Sequence, residues 1–267
     1  MTAGYFDRVW RARGVRGLQS AFSALMSRDR DELITALRDN GNSFPVMYLL
    51  APYIERAGLC EFLPDHVKRA MLLVAAKAGD RRRRGSYARR LPRGGDLAPT
   101  YETLKWMIDS GADWDGPSAG RDEYDAAIDL AAAHIAARFP DSVLLTKIAE
   151  LIFRRNRRGM YIHDLVWGFF QAADIRALSA AARYILSEDP VDSSLACRIL
   201  GIEEPGTREE RAETYKRFTE WLTESGGYLS LTGEHFNAAS APRPLARTDA
   251  EFESNAEREI SAEGVVV

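Results

Sequence analysis

Residues 100–116 read Thr100-Tyr-Glu-Thr-Leu-Lys-Trp-Met-Ile-Asp-Ser-Gly-Ala-Asp-Trp-Asp-Gly116, and after a polar loop the chain continues Asp125-Ala-Ala-Ile-Asp-Leu-Ala-Ala-Ala-His134. The first part has the pattern of an amphipathic helix stopped by Gly111; the second is an alanine-rich helix. A glycine turns the chain back, and paired small residues let two helices approach closely. This unit predicts an all-α fold built from helical hairpins.

Other stretches repeat the plan. Leu18, Phe22 and Leu25 mark an apolar face over 17–26, and Leu33, Ile34 and Leu37 mark another over 31–38, ahead of Asn40-Gly41-Asn42. Pro45 starts a helix with Met47, Leu50 and Ile54 inward, closed by Gly58, and Asp65 is the expected N-cap of a helix that ends at Gly79. Helices are also expected at 143–153, with a basic end at Arg154, Arg155, Arg157 and Arg158, and at 161–170, 175–186, 193–200 and 207–224. The expected organisation is one helical repeat domain over 1–240, interrupted by a basic insertion at 80–99, and a flexible acidic tail over 241–267.

Composition narrows the function. With 46% hydrophobic and 28% charged residues, the 267-residue chain has material for a real core, so disorder throughout is excluded. Lys and Arg number 36 against 39 Asp and Glu, so any nucleic-acid binding must come from a local patch. Cys60 and Cys197 stand far apart in no Cys-x-x-Cys spacing, which argues for neither a zinc site nor a disulfide framework. The first residues lack the apolar core of a signal peptide and no segment has the length of a membrane span, so a cytoplasmic protein with no membrane association is expected.

Residues 102–113, Glu-Thr-Leu-Lys-Trp-Met-Ile-Asp-Ser-Gly-Ala-Asp, resemble the second helix and turn of an ankyrin repeat, and residues 31–42, 70–80 and 126–134 echo parts of the same unit. The resemblance implies a solenoid of antiparallel helix pairs, ankyrin-like or of a generic helical-repeat kind, that binds another protein through its concave face and turn loops. The family's Thr-Pro-Leu-His start is nowhere intact: Ala70-Met-Leu-Leu and Ala126-Ala-Ile-Asp stand in its place.

Two sets of residues are candidates for binding. Asp113 and Trp114 follow Gly111 in a turn, where an exposed tryptophan is a suitable anchor for an unidentified protein partner. Arg81, Arg82, Arg83, Arg84, Arg89, Arg90 and Arg93 lie in a stretch without apolar periodicity, expected as an exposed loop. They offer a grip on phosphate or nucleic acid, with Tyr87 to stack on a base. Arg154, Arg155, Arg157 and Arg158 would widen that patch. A helical enzyme is a third option, but His66, His134, His163 and His235 show no ligand or catalytic spacing, and no phosphate-binding or nucleophile motif is present. No catalytic residue, metal or cofactor is assigned.

Overall fold

The computed structural model describes residues 3–88, 99–114, 116, 122–139, 141–170, 175–226, 229–231 and 246–248. Among the described residues the chain is all-α apart from one antiparallel pairing of β1 (Leu229–Leu231) with β2 (Ala246–Thr248). It forms two compact units, residues 1–128 and 129–267, where the sequence suggests a single domain over 1–240.

The first unit begins with α1 (Tyr5–Arg28), which is longer than the apolar spacing over 17–26 predicts and is broken at Gly14. Phe6 at its start is fully buried. Helix α2 (Arg30–Leu37) is capped by Asp29, whose carboxylate accepts the Asp31 and Glu32 amides. Then come α3 (Phe44–Arg56), with Pro45 in its first turn, a 3-10 turn (Cys60–Phe62), and α4 (Asp65–Lys77). Asp65 is the first residue of α4 and not its cap; that position falls to Pro64, which has no side-chain acceptor to offer.

The basic insertion is a correction to the sequence reading. Arg81–Ala88 is a helix, α5, packed against α4. Its apolar anchor is Tyr87, fully buried, whose hydroxyl donates to Glu55 Oε1 at 2.7 Å. One buried ring among arginines leaves no periodicity to read, which is why the stretch resembles a loop.

Helix α6 (Tyr101–Gly111) packs on α3 and α4. Gly111 ends it without a left-handed backbone; its role is close approach. A Cβ there would stand 2.7 Å from the Tyr124 hydroxyl and 2.8 Å from the Phe44 ring. Helix α7 (Glu123–Arg138) contributes Tyr124, Ala127 and Ile128 to this core, all fully buried.

The second unit takes the rest of α7, then α8 (Ser142–Arg157), α9 (His163–Phe170), α10 (Arg176–Ala182), a 3-10 segment (Arg183–Leu186), α11 (Pro190–Leu200) and α12 (Arg208–Ser225). Helix α8 packs on α9, α10 and α11, and α12 closes over α10 and the 3-10 segment. Phe153 stacks on Tyr184 at 3.6 Å, and burial pushes the Tyr184 phenol up to about 12. Gly159, with φ 64°, follows the end of α8 in the left-handed conformation. Apart from β2, the expected acidic tail over 241–267 lies outside the described residues. No helix among the described residues is long and apolar enough to cross a membrane.

Candidate functional site

A groove of about 730 Å³ opens in the first unit between the start of α1, the turn at residues 40–43 and the outer face of α6. Helix α6 supplies Glu102, Trp106 and Asp109, and Asp113 in the following turn continues the line. Spacings of four and three residues place Glu102, Trp106 and Asp109 on one helical face. Helix α1 supplies Asp7, Trp10 and Arg11 by the same rule.

Hydrogen bonds hold the floor to both walls. Asp7, itself buried, accepts the Ser43 amide at 2.6 Å. The Trp106 indole N–H donates to the Asn42 carbonyl at 3.1 Å. Ser110 Oγ accepts the Phe44 amide at 3.0 Å and donates to the Trp106 carbonyl at 2.7 Å. Asn42 Nδ2 donates to the Ala36 carbonyl at 2.8 Å, so the end of α2 is tied to the same turn. A turn fastened on three sides is a preorganised surface.

The aromatic side chains beneath the groove form a continuous chain of ring contacts. Trp10 meets Trp114 edge-on, with centroids 6.0 Å apart and planes at 89°. Trp114 packs on Tyr124 at 4.7 Å, Tyr124 stacks on Phe44 at 4.8 Å, and Phe44 meets Trp106 at 5.7 Å. His66 of α4 stands against Trp106 at 4.9 Å, and burial lowers its pKa below the usual histidine value, with Asp65 opposing the shift.

Asp113, expected at the turn, is exposed and lines the groove. Trp114 also lines it but is half-buried rather than exposed, because Tyr124, Tyr48 and Trp10 surround its ring. Among the described residues the groove carries a charge bias. Asp7, Glu102, Asp109 and Asp113 face Arg11 and Lys105, and Lys105 already pairs with Asp109 at 3.1 Å.

The arginine candidates are not assembled as the sequence suggests. Arg81 and Arg82 are exposed on α5 and Arg83 and Arg84 belong to the same helix, whereas Arg89, Arg90 and Arg93 lie outside the described residues. Tyr87 cannot stack on a base, since its ring is in the core and its hydroxyl is bonded to Glu55. The other arginine run is largely structural. Arg155 is fully buried and meets Asp129 at 2.6 Å; Arg157 meets Asp192 at 2.6 Å, and Asp192 also accepts the Ser187 hydroxyl.

His66 packs against Trp106, His134 and His163 are half-buried in the second unit, and His235 lies outside the described residues. Among the described residues no three His, Cys, Asp or Glu side chains gather closely enough to hold a metal ion. Cys60 and Cys197 are buried free thiols, and burial pushes Cys197 up to about 11, which suppresses the reactive thiolate.

The α1 wall was missed by sequence reasoning. Phe6 and Trp10, four residues apart, were the available signal, obscured by the arginines that follow. Comparison with family models, with curated proteins and with solved structures finds no match, so the groove's own chemistry must carry the functional reading.

Proposed function

We propose that this chain is a non-catalytic protein-interaction module whose first-unit groove receives a segment of a partner protein. The observation that carries this reading is the convergence of Trp10, Trp106 and Trp114 with Glu102, Asp109 and Asp113 along one fastened groove. Tryptophan offers large rigid contact area at low entropic cost, and interface anchors are enriched in it. Asp113 and Trp114 are contact residues in this reading, Trp114 through the face its neighbours leave open. A solenoid of antiparallel, ankyrin-like helix pairs goes with the proposal, supported by the packing of the chain-adjacent pairs α1–α2 and α4–α5. A cytoplasmic setting is consistent with the two buried free thiols.

Phosphate or nucleic-acid binding through residues 81–93 loses its stacking element with Tyr87 in the core, and keeps Arg81 and Arg82 as exposed cations. Retention on heparin that weakens steeply with salt would restore it.

The test is a titration of the full chain with pools of random octapeptides, sorted as acidic, neutral and basic, followed by tryptophan emission. Binding by at least one pool, weakened about tenfold or more in Trp10→Ala, is the expected result. If no pool perturbs the emission or binds the immobilised protein, the groove is not a peptide site.

A further inference from the structure

We propose that the first half of α1 carries a second binding site, an arginine surface for the phosphate backbone of a nucleic acid. The site is independent of the groove reading, and its contacts are Arg8, Arg11, Arg13 and Arg16.

The sequence sets the charge. Residues 8–28 contain five arginines and no aspartate, glutamate or lysine, in a chain whose net charge is -3. Four of the five fall within residues 8–16, and all four are exposed. A run of this kind holds an attraction for anions only where neighbouring carboxylates leave it unpaired.

The carboxylates nearby are committed elsewhere. Asp7 is buried and accepts the Ser43 amide, Asp29 caps α2, and Glu32 pairs with Arg28, the fifth arginine. Arg8 donates to the Ala3 carbonyl at 2.5 Å. The side chains of Arg11, Arg13 and Arg16 make no hydrogen bond or ion pair among the described residues. Arg11 also lines the groove, at the border between the two surfaces.

The backbone then places the cations. Gly14, with φ 64° and ψ -166°, breaks α1 between Arg13 and Arg16. A Cβ at Gly17, beyond the break, would stand 2.1 Å from Arg13 Cβ and 3.3 Å from its Cγ and Cδ. The Arg13 stem therefore lies against the chain at Gly17, where a larger residue would displace it. A stem held in this way has less rotamer freedom to lose when its guanidinium meets a ligand.

The type of cation and the rest of the helix select the partner. A guanidinium fork takes two phosphate oxygens at once, which makes arginine the stronger choice for phosphate over lysine. A membrane surface requires an apolar face beside the charge. Phe6, Leu18, Phe22 and Leu25 of α1 are buried in the core, and Val15 is its exposed large apolar residue. An acidic peptide offers carboxylates at irregular intervals, whereas a nucleic acid presents a phosphate on every nucleotide, so that four clustered cations find partners together.

The experiment uses the full chain and a fluorescein-labelled mixed-sequence strand of about 20 nucleotides, single and annealed to its complement, with anisotropy read between about 50 and 200 mM salt. Four phosphate contacts should make log K fall with log salt at a slope of about -3.6 on the duplex and about -2.8 on the single strand, which is about a hundredfold loss on the duplex over that range. Arg13→Gln and Arg16→Gln, both outside the groove lining, should each weaken binding about tenfold and reduce the slope by about 1, with octapeptide binding unchanged. Arg81→Gln combined with Arg82→Gln on α5 should leave oligonucleotide binding as it was. Three results overturn the inference while leaving the groove reading in place: no binding of either oligonucleotide at the lowest salt, an effect of the α5 pair as large as that of Arg13→Gln, or equal affinity for polyglutamate or for vesicles of anionic lipid. Oligonucleotide binding with no response to any octapeptide pool supports this site and removes the groove reading alone.

Discussion

Helices α6 and α8 are composed on the same plan and end up doing opposite things with their charges. Each begins on a side-chain cap: Thr100 Oγ1 accepts one amide, from Thr103 at 3.3 Å, and Asp141 accepts two, from Val143 and Leu144 at 2.9 and 3.1 Å. Each buries one apolar face, Leu104, Met107 and Ile108 in α6 and Leu144, Ile148, Leu151 and Ile152 in α8. Helix α6 then turns Glu102 and Asp109 toward an open groove, with Lys105 one turn from Asp109 as a local counter-ion. Helix α8 turns Arg155 into the core, onto Asp129, which lies 26 residues earlier on α7. A charge with its counter-ion on the next turn can stay in water; one whose counter-ion sits on a packed neighbour is part of the fold.

The sharpest way to break this comparison is to remove the buried charge. Arg155→Met leaves the Asp129 carboxylate in the core without its guanidinium and should cost about 3–5 kcal/mol. The change is read from urea unfolding followed by circular dichroism. The paired replacement Arg155→Met with Asp129→Leu should recover most of that loss, because the penalty belongs to the abandoned charge rather than to the absent bond. On α6 the equivalent change, Lys105→Met, should move the same transition by less than about 0.5 kcal/mol. A loss at Lys105 as large as that at Arg155 would end the distinction.

The glycines that follow each apolar face give the next contrast. At Gly111 the backbone tolerates alanine but the packing does not, since the Tyr124 hydroxyl and Phe44 ring stand within 3 Å of the new Cβ. Gly111→Ala should therefore cost about 1–3 kcal/mol through displaced neighbours. Nothing lies within 4 Å of a Cβ at Gly159, yet its φ of 64° strains any L side chain, so Gly159→Ala should cost about 1 kcal/mol. The two losses separate when a smaller partner is supplied. Tyr124→Phe, which removes the hydroxyl at the contact, should relieve part of the Gly111→Ala cost and none of the Gly159→Ala cost. The caps rank below these: Asp141→Ala should cost about 1 kcal/mol and Thr100→Ala less, in the order of the amides they satisfy.

Much of this frame is legible in the residues themselves. Apolar spacing with glycine and proline punctuation marks α2, α3, α4, α6, α7 and α8, because each signal is local to its own helix. What the spacing leaves dark depends on residues distant in the chain. Arg155 looks like one more member of a solvated basic run until Asp129 is placed beside it. Helix α5 hides because its single buried ring, Tyr87, finds Glu55, 32 residues away. Trp114 reads as a loop-tip anchor, and the ring that half-covers it, Tyr124, is beyond the polar loop. The groove needs two walls, and only the α6 wall has a pattern that stands out from its own sequence.

The smallest expected effect lies where Trp106 of α6 meets a titratable neighbour. His66 packs edge-on against Trp106, and burial lowers its pKa in the folded chain, with Asp65 opposing the shift. The unfolded chain therefore binds a proton at His66 more readily than the folded one. The stability from keeping this ring neutral is fully present above the ordinary histidine pKa of about 6.5 and is lost as pH falls from there through the lower folded value. His66→Asn should make the urea midpoint less dependent on pH over that acid window while leaving the dependence above it unchanged. The same protonation places a cation beside the Trp106 ring, so tryptophan emission should shift over the same window in the wild type and not in His66→Asn. An emission shift that persists in the variant would assign the titration to another group and detach the groove from the histidine behind it.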